Sequence, residues 1–166
     1  MKTKIQVVLF LLLLSTVCLY AQSIDPYQVT ALSVSGKKYG DKPTVLSYST
    51  VRTLKNALWD GSVFTAHRDG VFIVTISFVK DAHYNNGTQD DVYMKIYKED
   101  TAGIRTGMGF AWSGEGTGKR GTGAYTVAVE LKEGEKILTE GNCPAGKTWY
   151  LSLYNLTIYS LPAYIY

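Results

Sequence analysis

The alternation of apolar and polar positions is clearest between Phe64 and Phe78, in the stretch FTAHRDGVFIVTISF. A polar turn, His67-Arg68-Asp69-Gly70, separates two apolar runs. From Val71 onward Phe72, Val74, Ile76 and Phe78 fall on one side of the chain, and Ile73, Thr75 and Ser77 on the other. A period of two marks a strand with one packed face. The same reading predicts strands over 45–52, 57–66, 71–79, 91–98, 103–112, 123–131, 136–140 and 148–160. They are separated by turn clusters at Asn85-Asn86-Gly87, Glu99-Asp100, 114–123, Glu133-Gly134 and Pro144-Ala145-Gly146. Short strands at this spacing, with almost no helical periodicity, imply an all-β sandwich or barrel. The best helical candidate, 51–58, is two turns at most and is assigned to a strand end or loop.

Two segments add detail. In 123–131 Tyr125, Val127, Val129 and Leu131 alternate with Thr126, Ala128 and Glu130, and a tight charged turn over 132–135 follows, which predicts a hairpin. In 148–160 the apolar parity changes, from Trp149, Leu151 and Leu153 to Leu156 and Ile158. That strand is therefore either buried on both faces or bulged near Asn155, and central in both cases. Residues 22–43 hold a short apolar patch, 29–34, and end in Tyr39-Gly40-Asp41-Lys42-Pro43. They read as an N-terminal arm, with room for one early strand, leading into a domain over 44–166. No Gly-X-Y repeat and no sustained heptad occurs in the chain.

Composition changes the picture at the N-terminus first. Lys2 and Lys4 precede an unbroken apolar run, 7–14, and then small or neutral residues up to a cut after Ala21. This is the layout of a secretory signal peptide, 1–21, too short for a stable membrane span. A lipid-modified Cys18 is the rival, disfavoured because Val17 stands where a small residue is needed. Removal leaves about 145 residues (166 − 21), the size of one domain with a real core. Of two cysteines, only Cys143 then remains, which rules out an intrachain disulfide and leaves a half-buried thiol. The net charge of +3 falls to near neutrality with the leader, so nucleic acid and anionic membranes lack an electrostatic basis as partners. The expected product is soluble and extracellular. Thirteen tyrosines suit half-buried strands and contact surfaces alike.

The order and wording of the segments over 44–161 resemble the globular head of the complement protein C1q, a family of trimeric jelly rolls related to tumour necrosis factor. Phe64-Thr65-Ala66 with Asp69-Gly70-Val71-Phe72 is similar to the family's phenylalanine, threonine, alanine, proline, then glycine, hydrophobe, tyrosine signature. Met94-Lys95-Ile96-Tyr97-Lys98 resembles its central strand. The run from Tyr125 to Leu131, with Gly134-Glu135 and Ile137, resembles its hairpin motif, and the run from Leu153 to Ile158 its closing strand. His67 stands for the usual proline, Glu135 for aspartate, and Leu153, Asn155 and Leu156 for aromatic and glycine positions, so the chain reads as a divergent member without a collagen stalk. The resemblance implies a ten-strand jelly roll and a homotrimer. Phe72, Val74, Ile76, Phe78, Val92, Met94, Ile96, Val127, Val129, Leu131, Leu151, Leu156 and Ile158 are expected in the core, and the faces of Tyr93, Tyr97, Tyr150 and Tyr154 as contact area.

Candidate chemistry is sparse. The stretch GEGTGKRGTG over 114–123 suggests a phosphate loop, but Ser113 and Arg120 stand where that motif needs Gly and Ser or Thr, and no helix follows. It reads as a surface loop. Asp81, His83, Asn85, Asn86, Asp90 and Asp91 offer oxygen ligands for calcium, with Asp81, Asp90 and Asp91 as the carboxylates. The spacing matches no EF-hand, and Asp and Asn are also ordinary turn residues, so no cofactor is expected and calcium stays the alternative. His67 and His83 lie in separate loops, and no serine or cysteine sits in a nucleophile-elbow context, which argues against an enzyme. Asn86-Gly87-Thr88 and Asn155-Leu156-Thr157 match the N-glycosylation pattern.

Three functional classes follow. The first is a secreted, non-enzymatic recognition module that binds an extracellular protein or glycan as a trimer, through Trp112, Glu115, Lys119 and Arg120. Segment 114–123 is then the expected mobile, partner-facing part, with Lys119 and Arg120 suited to an acidic ligand and dependent on avidity. The second is a structural or assembly protein. The third is a carbohydrate-active enzyme on a jelly-roll scaffold, which would need two facing carboxylates.

Overall fold

A computed structural model describes residues 27–39, 42–80, 91–114, 120–144 and 149–161. They belong to one compact unit, Pro26–Leu161. The expected leader, 1–21, lies outside the described residues, and among the described residues no helix is long and apolar enough to cross a membrane.

Eleven strands form: β1 (Gln28–Tyr39), β2 (Thr44–Val45), β3 (Thr50–Lys55), β4 (Leu58–Trp59), β5 (Val63–Thr65), β6 (Gly70–Lys80), β7 (Val92–Glu99), β8 (Arg105–Ser113), β9 (Gly121–Leu131), β10 (Lys136–Asn142) and β11 (Trp149–Ser160). A five-stranded sheet runs β3-β1-β11-β6-β9. A six-stranded sheet runs β4-β5-β10-β7-β8, with β2 added on β10. All pairings are antiparallel. This is the jelly-roll sandwich that the resemblance implies.

The inner faces supply the core. Phe72, Val74, Ile76 and Phe78 of β6 are buried, facing Val92, Met94 and Ile96 of β7, with Val129, Leu131, Leu151, Leu156 and Ile158 around them. Val127 packs against this cluster while remaining partly exposed. Burying each large apolar side chain contributes about 1.5–3 kcal/mol, so the two inner faces dominate stability.

Several expectations are corrected. Residues 28–39 are no arm outside the domain: β1 lies between β3 and β11, pairing with both. Val29 and Ala31 are fully buried there, which ties the segment to the core. The run 45–52 splits into β2 and β3 on different sheets, because Leu46 and Tyr48 turn into the core between them. The run 57–66 breaks at Asp60, whose Oδ1 accepts from the Ser62 and Val63 amides at 2.8 and 2.7 Å, leaving β4 and β5. With β1 added, these two breaks turn the eight strands of the sequence pattern into eleven, where the resemblance implies ten.

The expected hairpin after Leu131 is also different. The 132–135 turn forms, with Gly134 at φ +83° and the Glu135 amide bonded to the Lys132 carbonyl at 3.0 Å. Yet β9 pairs with β6, and β10 pairs with β7, β5 and β2, so the turn carries the chain from one sheet to the other. Its backbone pairs with Ala66 in place of a hairpin partner, through Gly134 N to Ala66 O (2.7 Å) and Ala66 N to Glu135 O (2.9 Å). The parity change in β11 is a register shift between Leu151 and Leu153, three residues before the expected place.

Candidate functional site

The outer face of the six-stranded sheet is built from the residues that alternate with the core. On β7 these are Tyr93, Lys95, Tyr97 and Glu99. The register sets Tyr93 beside Trp112 of β8 and Asn142 of β10, Lys95 beside Phe110 and Glu140, and Glu99 beside Arg105 and Lys136. The face has two unlike ends.

One end is aromatic. Trp112 and Phe110 are 54% and 52% exposed, while Ala111 and Ser113 between and beyond them are buried. Size is thus inverted along this strand: Trp112, read from the sequence as a contact, and Phe110, which was not, both point outward. The cause is the close approach of β9. A side chain on Gly123 would bring its Cβ within 3.0 Å of the Trp112 carbonyl oxygen and 2.6 Å of Phe78 Cε1. At Gly109, whose φ is +138°, the Tyr125 ring occupies the space a Cβ would take, with Cε1 2.2 Å away. Where the two sheet edges close together, only small residues fit inside. Gly121 and Gly123 are therefore paired strand residues and not members of a surface loop, and Gly123 is needed for space.

The Trp112 indole is fixed in place. Its Nε1 donates to Asp91 Oδ1 at 3.0 Å, and a Cβ on Gly114 would meet its Cζ2 at 2.3 Å, so the ring lies tight against the Gly114 backbone. Phe110 meets Tyr93 edge-on, with ring centroids 5.9 Å apart at 62°. The structure thus brings Trp112 and Asp91 together with Tyr93, which the sequence named as contact area, and adds Phe110, which the sequence did not single out. Arg120 is exposed immediately before β9, at the same end of the sandwich. Glu115, Lys119, Asp81 and Asp90 lie outside the described residues. Among the described residues no group of three His, Cys, Asp or Glu side chains could hold a metal ion, and Asp91 is engaged with Trp112.

The other end is charged. Arg105 pairs with Glu99 through Nε (2.9 Å) and with Glu140 through Nη1 (2.6 Å), crossing the row of Tyr97 and side-chain-free Gly107. Lys136 pairs with Glu99 at 3.1 Å. Hydrogen bonds from Arg105 and Lys136 hold the Glu99 carboxyl below the usual carboxylate range. At Glu135 burial works against the charged form, but hydrogen bonds from Lys98 and the Lys132 amide outweigh it and lower its pKa as well.

The outer face of the five-stranded sheet is different again. One threonine from every strand lines up across it, Thr53, Thr30, Thr157, Thr75 and Thr126. Adjacent rows hold Gln28, Tyr159, Ile73 and Ala128, and Leu32, Asn155, Ser77 and Ala124. Its hydroxyls and amide bond to each other, Thr75 to Thr126 at 3.0 Å and Asn155 Nδ2 to Ser77 Oγ at 3.2 Å. Among the described side chains on the paired rows, charge appears at the margin, at Lys55 and Glu130, and exposed Arg52 stands in the irregularity of edge strand β3.

The four tyrosines expected to form one contact area do not share a surface. Tyr150 and Tyr154 are 7% and 2% exposed, and Tyr154 packs edge-on against Tyr48 at 5.2 Å and donates to the Ser47 carbonyl at 2.6 Å. A tyrosine buries its ring when its hydroxyl finds a partner inside. Tyr93 and Tyr97 stand on the opposite sheet. His67 sits edge-on to Tyr27 at 4.2 Å, with Arg68 over the other ring at 4.4 Å, so this turn holds the start of β1.

No protein-family model and no curated protein matches the sequence. The fold has solved counterparts. It is similar to the globular domain of zebrafish complement 1qA protein, with a TM-score of 0.63 at 10% identity, over 82% of this chain and 97% of that one. It is similar to murine APRIL at pH 8.0, with a TM-score of 0.60 at 13% identity over 82% and 100% of the two chains. Eiger TNF from S. frugiperda gives a TM-score of 0.54 at 12% identity over 84% and 96%. At these identities the likeness is one of fold: the chain has a jelly-roll fold like those of C1q and TNF-type domains.

Proposed function

We propose that this protein is a secreted, non-enzymatic binding module that assembles as a homotrimer and presents its aromatic end to an extracellular protein or glycan. The observation that carries the reading is the uncharged outer face of the five-stranded sheet. Solvent-facing strands ordinarily carry charge, which keeps them soluble and unpaired. Here short neutral side chains span all five strands, and several already satisfy one another's hydrogen bonds. Such a face loses little on being desolvated against another copy, because no ion must be stripped of water. The contact area thus moves from the tyrosines to the threonine row.

The structural-protein reading shares this assembly but gives no role to exposed Trp112 and Phe110. The enzyme reading is not favoured, since Glu99 and Glu140, which share Arg105, both spend their charge on it. Light scattering on the secreted chain, paired with a screen against extracellular proteins and glycans with and without calcium, tests the proposal. A trimer that retains a ligand is the expected result; a monomer at micromolar concentration, or a trimer that retains nothing, overturns it.

A further inference from the structure

We propose that Trp112 and Phe110 form a stacking platform for a neutral, hydroxyl-rich saccharide, with Asp91, Lys95 and Asn142 as its polar rim. The inference rests on the reading of the chain as a binding module and names the ligand class of its aromatic end.

The first argument is preorganisation. A tryptophan half in water on a strand ordinarily samples several rotamers, and fixing it on binding costs entropy. Trp112 is already fixed, with its Nε1 tied to Asp91 at 3.0 Å and its ring packed on Gly114, where any side chain would collide with it at 2.3 Å. Its remaining surface is open, giving the 54% exposure. Phe110 stands two residues back on the same side of β8, about 7 Å along the strand, and is steadied by the edge of Tyr93 at 5.9 Å. Two rings held open in one row make a ledge.

The second argument is what surrounds the ledge. Asn142 follows Tyr93 on the Trp112 row, and Lys95 lies opposite Phe110. The Asn142 side-chain oxygen accepts the Cys143 amide at 2.8 Å, which leaves its amino group to donate outward. Asp91 accepts, Lys95 donates, and their charges cancel, so the rim offers hydrogen bonds in both senses without a net field. A sugar ring divides in the same way. Its C–H face is apolar and slightly positive and suits the negative face of an aromatic ring, while its hydroxyls point sideways to donors and acceptors. An anionic ligand would meet the Asp91 carboxylate beside the indole. A protein anchor needs a closed, desolvated pocket, which an open strand surface does not supply, and it would leave the rim groups to find new partners or remain unpaired.

The test is affinity electrophoresis of the full secreted chain in gels containing laminarin, mannan or xylan as neutral polysaccharides, or heparin as the anionic one. The proposal expects retardation in at least one neutral gel. Trp112→Ala and Phe110→Ala should each weaken it about tenfold, a change of about 1.4 kcal/mol. Trp112→Phe should retain part of it, and Lys132→Ala, in the turn after the far end of β9, should leave it unchanged. Circular dichroism of each variant controls for folding. Retardation by heparin alone, or undiminished neutral binding in both aromatic variants, overturns the saccharide assignment while the binding-module reading stands. No retardation in any neutral gel also overturns it, and the broader protein screen then decides the module reading separately.

Discussion

The outer faces of the two sheets share a backbone geometry and differ in almost every side chain. The five-stranded face is a field of Thr, Ser, Ala and Asn with its hydrogen bonds closed among neighbours. The six-stranded face carries ion pairs at one end and two half-exposed rings at the other. Covering the second face would require stripping water from Glu99, Glu140, Arg105 and Lys136, and desolvating ions costs several kcal/mol each unless they are well paired. The first face carries no such penalty. One sandwich thus has a side suited to being buried and a side suited to remaining wet, and the ligand end belongs to the wet side.

The largest effect expected is on assembly. Placing charge at the middle of the threonine row, with Thr75→Lys and Thr157→Lys together, should convert the proposed trimer to monomers of one-third the mass. The circular dichroism spectrum should remain all-β, because these side chains point away from the core. Light scattering checks it, and a double variant of unchanged mass would remove this face from the interface. Next in size is Gly109→Val. The left-handed backbone and the Tyr125 ring at 2.2 Å leave no room for it, so overpacking should cost about 1–3 kcal/mol in urea unfolding, loosening the sheet edge that turns the aromatic residues outward.

A smaller effect concerns acid. Glu99 and Glu135 have depressed pKa values when folded, so their contribution is fully present above the ordinary carboxylate value of about 4.3. It is lost as pH falls through their lower folded values. The melting temperature of the parent should therefore fall once the pH drops below about 4. Glu99→Gln should lower stability at pH 7 by at most about 1 kcal/mol, with the gap closing near pH 3. A gap that persisted at pH 3 would mean that Glu99 acts through packing and not charge. The smallest effect is expected at Lys132, whose pairs with Asp69 and Glu130 are largely exposed. Lys132→Ala should leave the melting curve unchanged within error, which separates the wet, open pairs from the partly covered ones around Arg105.

How much of this was legible in the sequence depends on the range of the interaction. The period-two pattern of β6 predicted its buried face correctly, since Phe72, Val74, Ile76 and Phe78 all point inward. The strand class, the single domain core and the C1q-like order were readable for the same reason: burial of apolar side chains on alternate positions is a local regularity. The aromatic end was half legible. Trp112 was named as a contact, but its anchor, Asp91, 21 residues away in the chain, was read as part of a polar turn with calcium as the alternative.

What only the tertiary structure decided is where strands meet. The sequence around Leu131 determines a tight turn, but not whether the strands on either side pair with each other, since that depends on competing partners distant in sequence. Phe110-Ala111-Trp112-Ser113 determines an alternating strand, but the hydrophobic pattern favours the larger residues inside. The narrow gap to Gly123 and Tyr125 reversed that choice, because close-packed sheets leave space only for small side chains there. Likewise each threonine of the outer row is unremarkable in its own strand. Only the register of five strands, set jointly by the core beneath and the pairings between, brings them into one line.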